Sequence, residues 1–249
     1  MKLSSLDKAL QVIELLSKNP QGLSLLELNQ HLGFPKSTIH HILSTFIPYD
    51  YVTQEPEGKK YGLGLKFLGI SRTIIDNLDI RKKAHPFLRK LHRECHEAVH
   101  LSVLRNGLVT YIDKVQKEGG LSLATYVGFT TDPHAAAGGK ILLSELSDKE
   151  VKEIYRQRSL KSYGKNTITS LSRLLDEIKK VRHQGFAIDD EEYYEGVRCV
   201  AAPIRAGGKI VAALSVTGSI FTITRERIQK ELIPSVKRTA EEISANLRW

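Results

Sequence analysis

With 249 residues, 41% of them hydrophobic, the chain carries apolar material for two modest cores, although its length also permits one larger domain. A net charge of +9 favours a polyanionic partner but does not place it, because residues 1–75 hold eight Lys or Arg against six Asp or Glu. Cys95 and Cys199 stand far apart with no metal ligand spaced beside them, Asp7, Lys8, Gln11 and Glu14 interrupt the first apolar segment, and no run reaches about 18 apolar residues, so no disulfide scaffold, secretory signal or membrane span is expected and a cytoplasmic location is.

In chain order, Ser5 is positioned to cap a helix whose apolar residues Leu6, Leu10, Ile13 and Leu16 recur at helical spacing. Asn19-Pro20-Gln21-Gly22 ends it, and Ser24 with Glu27 has the spacing of a capping box for a second, short helix reaching Leu32. After Gly33 and Pro35, the stripe Ile39, Ile42, Leu43 and Phe46 predicts a third helix with Lys36, Ser37, Thr38, His40, His41 and Ser44 on its outward side. Two helices and a tight turn, the second bearing short polar and basic side chains, form a helix-turn-helix: Lys36 suits a phosphate, and Ser37, Thr38, His40 and His41 suit base edges. Strand-like segments 51–54 and 60–63 around a charged Pro/Gly turn make a wing, whose Lys59 and Lys60 join the DNA-facing set.

Leu65, Leu68, Ile75 and Leu78 predict a helix leaving the wing, with Asp79–Lys83 as its boundary and an apolar stripe suited to a second subunit. His85-Pro86 is read as opening the next helix. Strands at 98–104, 108–115, around Ile188, 197–204 and 210–216, with helices at 171–182 and 225–248, predict an α+β domain with a mainly antiparallel sheet. Thr224 caps the last helix. The expected division is a winged domain at 1–63, a linker and dimerisation helix at 64–82, and a sensing domain at 83–249.

Within the second domain, Ala135–Gly139 before an apolar helical run offers backbone N–H groups to an anion, with Lys140 either steering it or solvated. Asp189-Asp190-Glu191-Glu192 reads as a solvated loop, a cation cluster or a pocket rim, without the spacing of a calcium loop. Ser215 and Thr217 share one strand face and offer hydroxyls, while Cys199 fits a core thiol. Cys199, His134 and Asp189 are the residue types of nucleophilic catalysis, yet no spacing pairs them, and Cys95, His96, His100 and His134 compose no closed metal set; no enzyme, cofactor or metal is expected.

The segments LSLLELNQHLGFPKSTIHHILSTF, YVTQEPEGKKYGLGLKFLGI, HAAAGGKILLSEL, RHQGFAIDDEEYYEGVRCVAAPI and GGKIVAALSVTG, in this order, resemble the IclR family of bacterial transcriptional regulators across nearly the whole chain. The resemblance implies a winged helix-turn-helix, a linker helix and a GAF-like effector domain, assembled as a homodimer or a dimer of dimers. It implies a repressor of a catabolic operon that binds double-stranded operator DNA and responds to a small carboxylate or sugar acid; an activator, or a second domain that only assembles subunits, are the alternatives. Carried over by position, the effector site comprises Leu121, Ala137, Gly138, Asp189, Cys199, Ser215 and Thr217. His41 departs from a frequent arginine, Pro48-Tyr49-Asp50 from a glycine-terminated helix end, which predicts an early stop, and Thr217 from a serine, which narrows the pocket by a methyl group.

Overall fold

In the computed structural model, which describes residues 4–56, 59–116, 125–156 and 158–247, helix α1 (Ser5–Ser17) starts from a capping box formed by Ser4 and Asp7, one residue before the expected Ser5 cap. Val12 and Leu16 are its buried residues, whereas Leu6 and Leu10, expected to face inward, are exposed. The two pairs lie about 120° apart around the helix, so the apolar arc is wider than the contact with its own core requires. Helix α2 (Leu25–Leu32) begins at the Ser24–Glu27 capping box and ends at Gly33, whose φ of 68° favours glycine. Helix α3 (Lys36–Phe46) stops early, as expected, passing into a 3₁₀ turn at Ile47–Tyr49.

Strands β1 (Val52–Gln54) and β2 (Tyr61–Leu63) pair antiparallel as the wing, and Leu23 adds a bridge to Tyr61. Gly64 is required beside them, since a Cβ there would lie 2.1 Å from the Asp50 carbonyl oxygen. Helix α4 (Lys66–Asp76) follows, and no residue of it is buried. The chain divides into two compact units between Asn77 and Leu78.

In the second unit, α5 (Asp79–Cys95) corrects the boundary expected at Asp79–Lys83, which is instead its opening turns. Pro86 lies inside this helix rather than opening it. Proline removes one N–H and strains one turn, and burial of Ala84, Leu88, Leu91 and Cys95 on the same helix offsets that cost. Strands β3 (Ala98–Arg105), β4 (Leu108–Val115), β5 (Thr130–Thr131), β6 (Ala187–Asp190), β7 (Val197–Ala206) and β8 (Lys209–Ser219) form a six-stranded antiparallel sheet in the order β5-β4-β3-β8-β7-β6. Helices α6 (Ala137–Leu143), α7 (Asp148–Arg156) and α8 (Leu171–Gln184) connect β5 to β6. The terminal segment, expected as one helix, is α9 (Arg225–Arg227), capped by Thr224, then a π-helical turn at Ile228–Leu232, then α10 (Ile233–Asn246).

Strand periodicity sorts the sheet into two faces. Val99, Leu101, Val200, Ala202, Leu214 and Val216 pack with α5 and α10 in the main core. Each of the Val and Leu side chains contributes about 1.5–3 kcal/mol by leaving water. The opposite face carries Ala201, Cys199 and Ala213, against which Ala137, Ile141 and Leu142 of α6 pack. A register shift between Leu101 and Ser102 leaves Ile112 of β4 without a partner. Ile112 thereby joins the main core while Tyr111 turns to the α6 face, which strict alternation from Lys114 would not allow.

Candidate functional site

In the first unit, α3 presents two chemistries on one cylinder. Ile39, Ile42 and Leu43 are buried, while Lys36, Ser37, His40, His41 and Ser44 are exposed and Thr38 is half-buried. The Ser44 hydroxyl donates to the His41 carbonyl at 2.9 Å, and exposed Thr45, absent from the sequence-based set, donates to the same carbonyl at 2.8 Å. Lys59, exposed with a φ of 53°, and half-buried Lys60 end the wing turn, where the Glu55 N–H donates to the Lys60 carbonyl. An exposed polar strip on a helix held down by its apolar side is what insertion into a groove requires.

In the second unit, a narrow cavity of about 40 Å³ opens on the α6 face of the sheet. Ala137, Asp189, Cys199 and Thr217 line it. Gly138 and Ser215 do not: a Cβ on Gly138 would meet the Ser102 hydroxyl at 2.9 Å, and Ser215 is buried between His100 and Ala201 in the strand register. Leu121 lies outside the described residues. The neighbouring Gly139 also serves packing, because a Cβ there would come within 2.2 Å of the Pro133 carbonyl oxygen.

The acidic run resolves into separate tasks. Asp190 is paired with Arg198 at 2.5 Å and Arg225 at 3.0 Å, Glu191 accepts from the Gly196 N–H at 3.0 Å, and only Asp189 faces the cavity. Glu192 pairs with Lys140, which also donates to the Ile188 carbonyl at 2.8 Å. Lys140 is therefore neither solvated nor an anion guide but a buried counter-ion, its charge balanced by Glu192 and two of its three protons bonded. Burial, with repulsion from Glu192, raises the Asp189 carboxyl to about 7, although its Oδ1 accepts the Glu192 N–H at 2.8 Å.

Burial pushes the Cys199 thiol up to about 12, and the Thr217 hydroxyl donates to its sulfur at 3.2 Å, so the group is a protonated wall rather than a nucleophile. His134 is not in the cavity and bonds through Nε2 to the Lys161 carbonyl at 2.9 Å. Among the described residues, no group of His, Cys, Asp or Glu is arranged to hold a metal ion, and no helix is long and apolar enough to cross a membrane.

Sequence reasoning missed His100, Tyr111, Thr131 and Tyr193, which also line the cavity. His100 lies opposite Ser215 in the β3–β8 register, a neighbour visible only once the strands are known to pair. A wider, open groove of about 570 Å³ lies near the ends of α8 and α10. Its Lys237 and Arg205 already donate to the Gln184 and Gly208 carbonyls, and it holds none of the unpartnered buried polar atoms, so the narrow cavity is the better ligand site.

Residues 5–56 match the IclR helix-turn-helix domain, and residues 72–245 match the family described as bacterial transcriptional regulator IclR, C-terminal. The HTH-type transcriptional regulator KdgR of Escherichia coli is 32% identical over 247 residues, covering 99% of this chain and 93% of that protein. The acetate operon repressor of Salmonella typhimurium is 30% identical over 246 residues, covering 98% and 89%. The crystal structure of the Thermotoga maritima IclR superposes with a TM-score of 0.77 at 31% identity, covering 98% of each chain.

Proposed function

The chain belongs to the IclR family of bacterial transcriptional regulators, which are DNA-binding proteins rather than enzymes, and on that premise we propose that it represses a catabolic operon, binding operator DNA through α3 and responding to a small organic acid in the cavity. The observation that carries the reading is the split of α3 between a buried apolar side and an exposed strip of Lys36, Ser37, His40 and His41. Lys36 neutralises a phosphate at the helix start, and the shorter side chains approach base edges. The wing lysines, Lys59 and Lys60, hold the flanking backbone.

The cavity suits an acid that also carries a hydroxyl or oxo group. Asp189 near pH 7 is partly protonated and donates to a carboxylate, while the Thr217 hydroxyl, which gives its proton to Cys199, is left to accept from a ligand hydroxyl. Assembly as a homodimer, or a dimer of dimers, is supported by α4: Leu68 and Ile74 are 65% and 59% exposed on a helix that buries none of its own residues, and Leu65 just before it is 71% exposed. A dimer presents two recognition helices to a pseudo-palindromic site.

Promoter fragments from the neighbouring genes, titrated with the purified full chain at several salt concentrations, test the reading. A saturable complex on one fragment, competed by itself and not by unrelated DNA, is expected, and small hydroxy and oxo acids added to it are expected to change its affinity. Equal binding to every fragment at every salt concentration refutes sequence-specific regulation.

A further inference from the structure

The chain's excess of positive charge lies away from its helix-turn-helix. Of the net +9, residues 1–75 account for +2, with eight Lys or Arg against six Asp or Glu. Helix α5 alone carries six Lys or Arg against Asp79 and Glu94, a net +4 in 17 residues. Its cations divide by face. Arg81 reaches buried Asp113 at 3.3 Å, and Lys90 reaches Glu242 at 3.3 Å. Lys82, Arg89 and Arg93 are exposed, and among the described residues none of the three has an ion pair or a side-chain hydrogen bond.

The spacing of these three in sequence places them within about 40° of one another around the helix and spreads them over about 16 Å of its length. Ala84, Leu88, Leu91 and Cys95 hold the opposite side of α5 against the main core, so packing fixes the direction in which the cations point. Beside Arg89 an open groove of about 450 Å³ continues onto β4, and His85, Lys114, Gln116 and Thr125 are among its lining residues while no carboxylate is. His85 keeps its place there through Nδ1, 2.7 Å from Asp113. Like charges aligned on one rigid face repel one another, and a row of anions laid along that face removes the repulsion.

On the reading that the chain binds operator DNA, we infer that the outer face of α5 is a second DNA contact, in which Lys82, Arg89 and Arg93 neutralise backbone phosphates of the duplex beside the operator and add affinity without reading sequence. Duplex DNA is favoured over a small anion because the charges are strung along a convex helix, and the neighbouring groove reaches only Arg89 of the three. A duplex presents one charge per about 1.7 Å of its axis, so a straight row of cations meets several at once. The place in the chain also fits, since α5 begins at Asp79, two residues after the first unit ends at Asn77. Base edges are left to α3, and the α5 cations act on the backbone alone.

Two duplexes carrying the same operator, titrated with the full chain across a salt series, separate this contact from operator recognition. One ends at the last base pair whose substitution alters binding, and the other extends about ten base pairs, roughly one helical turn, beyond it on each side with arbitrary sequence. The wild type is expected to bind the longer duplex about tenfold or more tightly at about 0.1 M salt, with a slope of log K against log salt steeper by about two to three per protomer. K82Q/R89Q/R93Q is expected to lose that gain and the added slope, while keeping the wild type's affinity for the short duplex, its thermal midpoint and its sedimentation. A wild type indifferent to the flanks, or a gain that survives in the variant, overturns the inference and leaves operator binding by α3 standing. Equal loss on both duplexes overturns it too, as does a variant that sediments as a smaller species, which would make the face a contact between copies of the chain. If the wild type binds neither duplex specifically, the operator reading fails and the second contact with it.

Discussion

Asp189→Asn removes a buried ionisable group while keeping its outline and the oxygen that accepts the Glu192 N–H. In the fold the carboxyl is held near 7 against an ordinary value of 3.8, so it remains protonated over a range in which the unfolded chain has already lost that proton. The sign follows from proton linkage: the wild-type fold has its full stability from this group below about pH 4, loses it at about 1.36 kcal/mol per pH unit up to about pH 7, and loses no more beyond. Over that interval the difference amounts to about 4 kcal/mol, an upper figure because the surroundings relax around a buried charge. Amide exchange in β7 reports opening of the second unit without assuming that both units unfold together. The stability of D189N minus that of wild type is expected to grow from pH 5 to pH 7 and then level off. A difference that stays flat from pH 5 to pH 8 means the carboxylate is ionised throughout, and the argument for a protonated Asp189 meeting an acid effector falls with it.

K36A is expected to lower affinity for every DNA fragment and to reduce the slope of log K against log salt by about one, as loss of one phosphate contact requires; filter binding across a salt series checks this. H40A is expected to weaken the preferred fragment by about 1–3 kcal/mol and unrelated DNA by much less, measured by competition. L68K on α4 is expected to shift sedimentation from dimer to monomer while changing the stability of the first unit by less than about 0.5 kcal/mol, because the side chain is 65% exposed within one chain. G139A is expected to cost the second unit about 3 kcal/mol or more, since the added carbon would lie 2.2 Å from the Pro133 oxygen; urea titration measures it.

The first unit was largely legible because its signals are local: the Ser24–Glu27 capping box, the Ile39, Ile42 and Leu43 stripe, and the turn between β1 and β2 each act over a few residues. Helix direction was harder. Leu6 and Leu10 have the same periodicity as core residues, and periodicity does not say which surface a stripe meets. In the second unit, the expected Ala137, Asp189, Cys199 and Thr217 line the cavity, while placing His100 and Thr131 beside them depends on strand order that no local pattern encodes. Lys140 illustrates the same limit, as its partner Glu192 lies 52 residues away. Pro86 shows tertiary packing overriding a strong local rule.

The two-faced sheet has a consequence for how such a protein changes over generations. On β7, Val200, Ala202 and Ile204 belong to the core with α5 and α10, while Cys199 and Ala201 face α6. Alternate letters of the same ten-residue strand thus answer to different selection: one set serves only folding, while of the other Val197 and Cys199 line the cavity and Ala201 packs against α6. Substitutions at the cavity positions leave the α5 and α10 contacts intact, so their cost to folding is confined to the smaller core under α6.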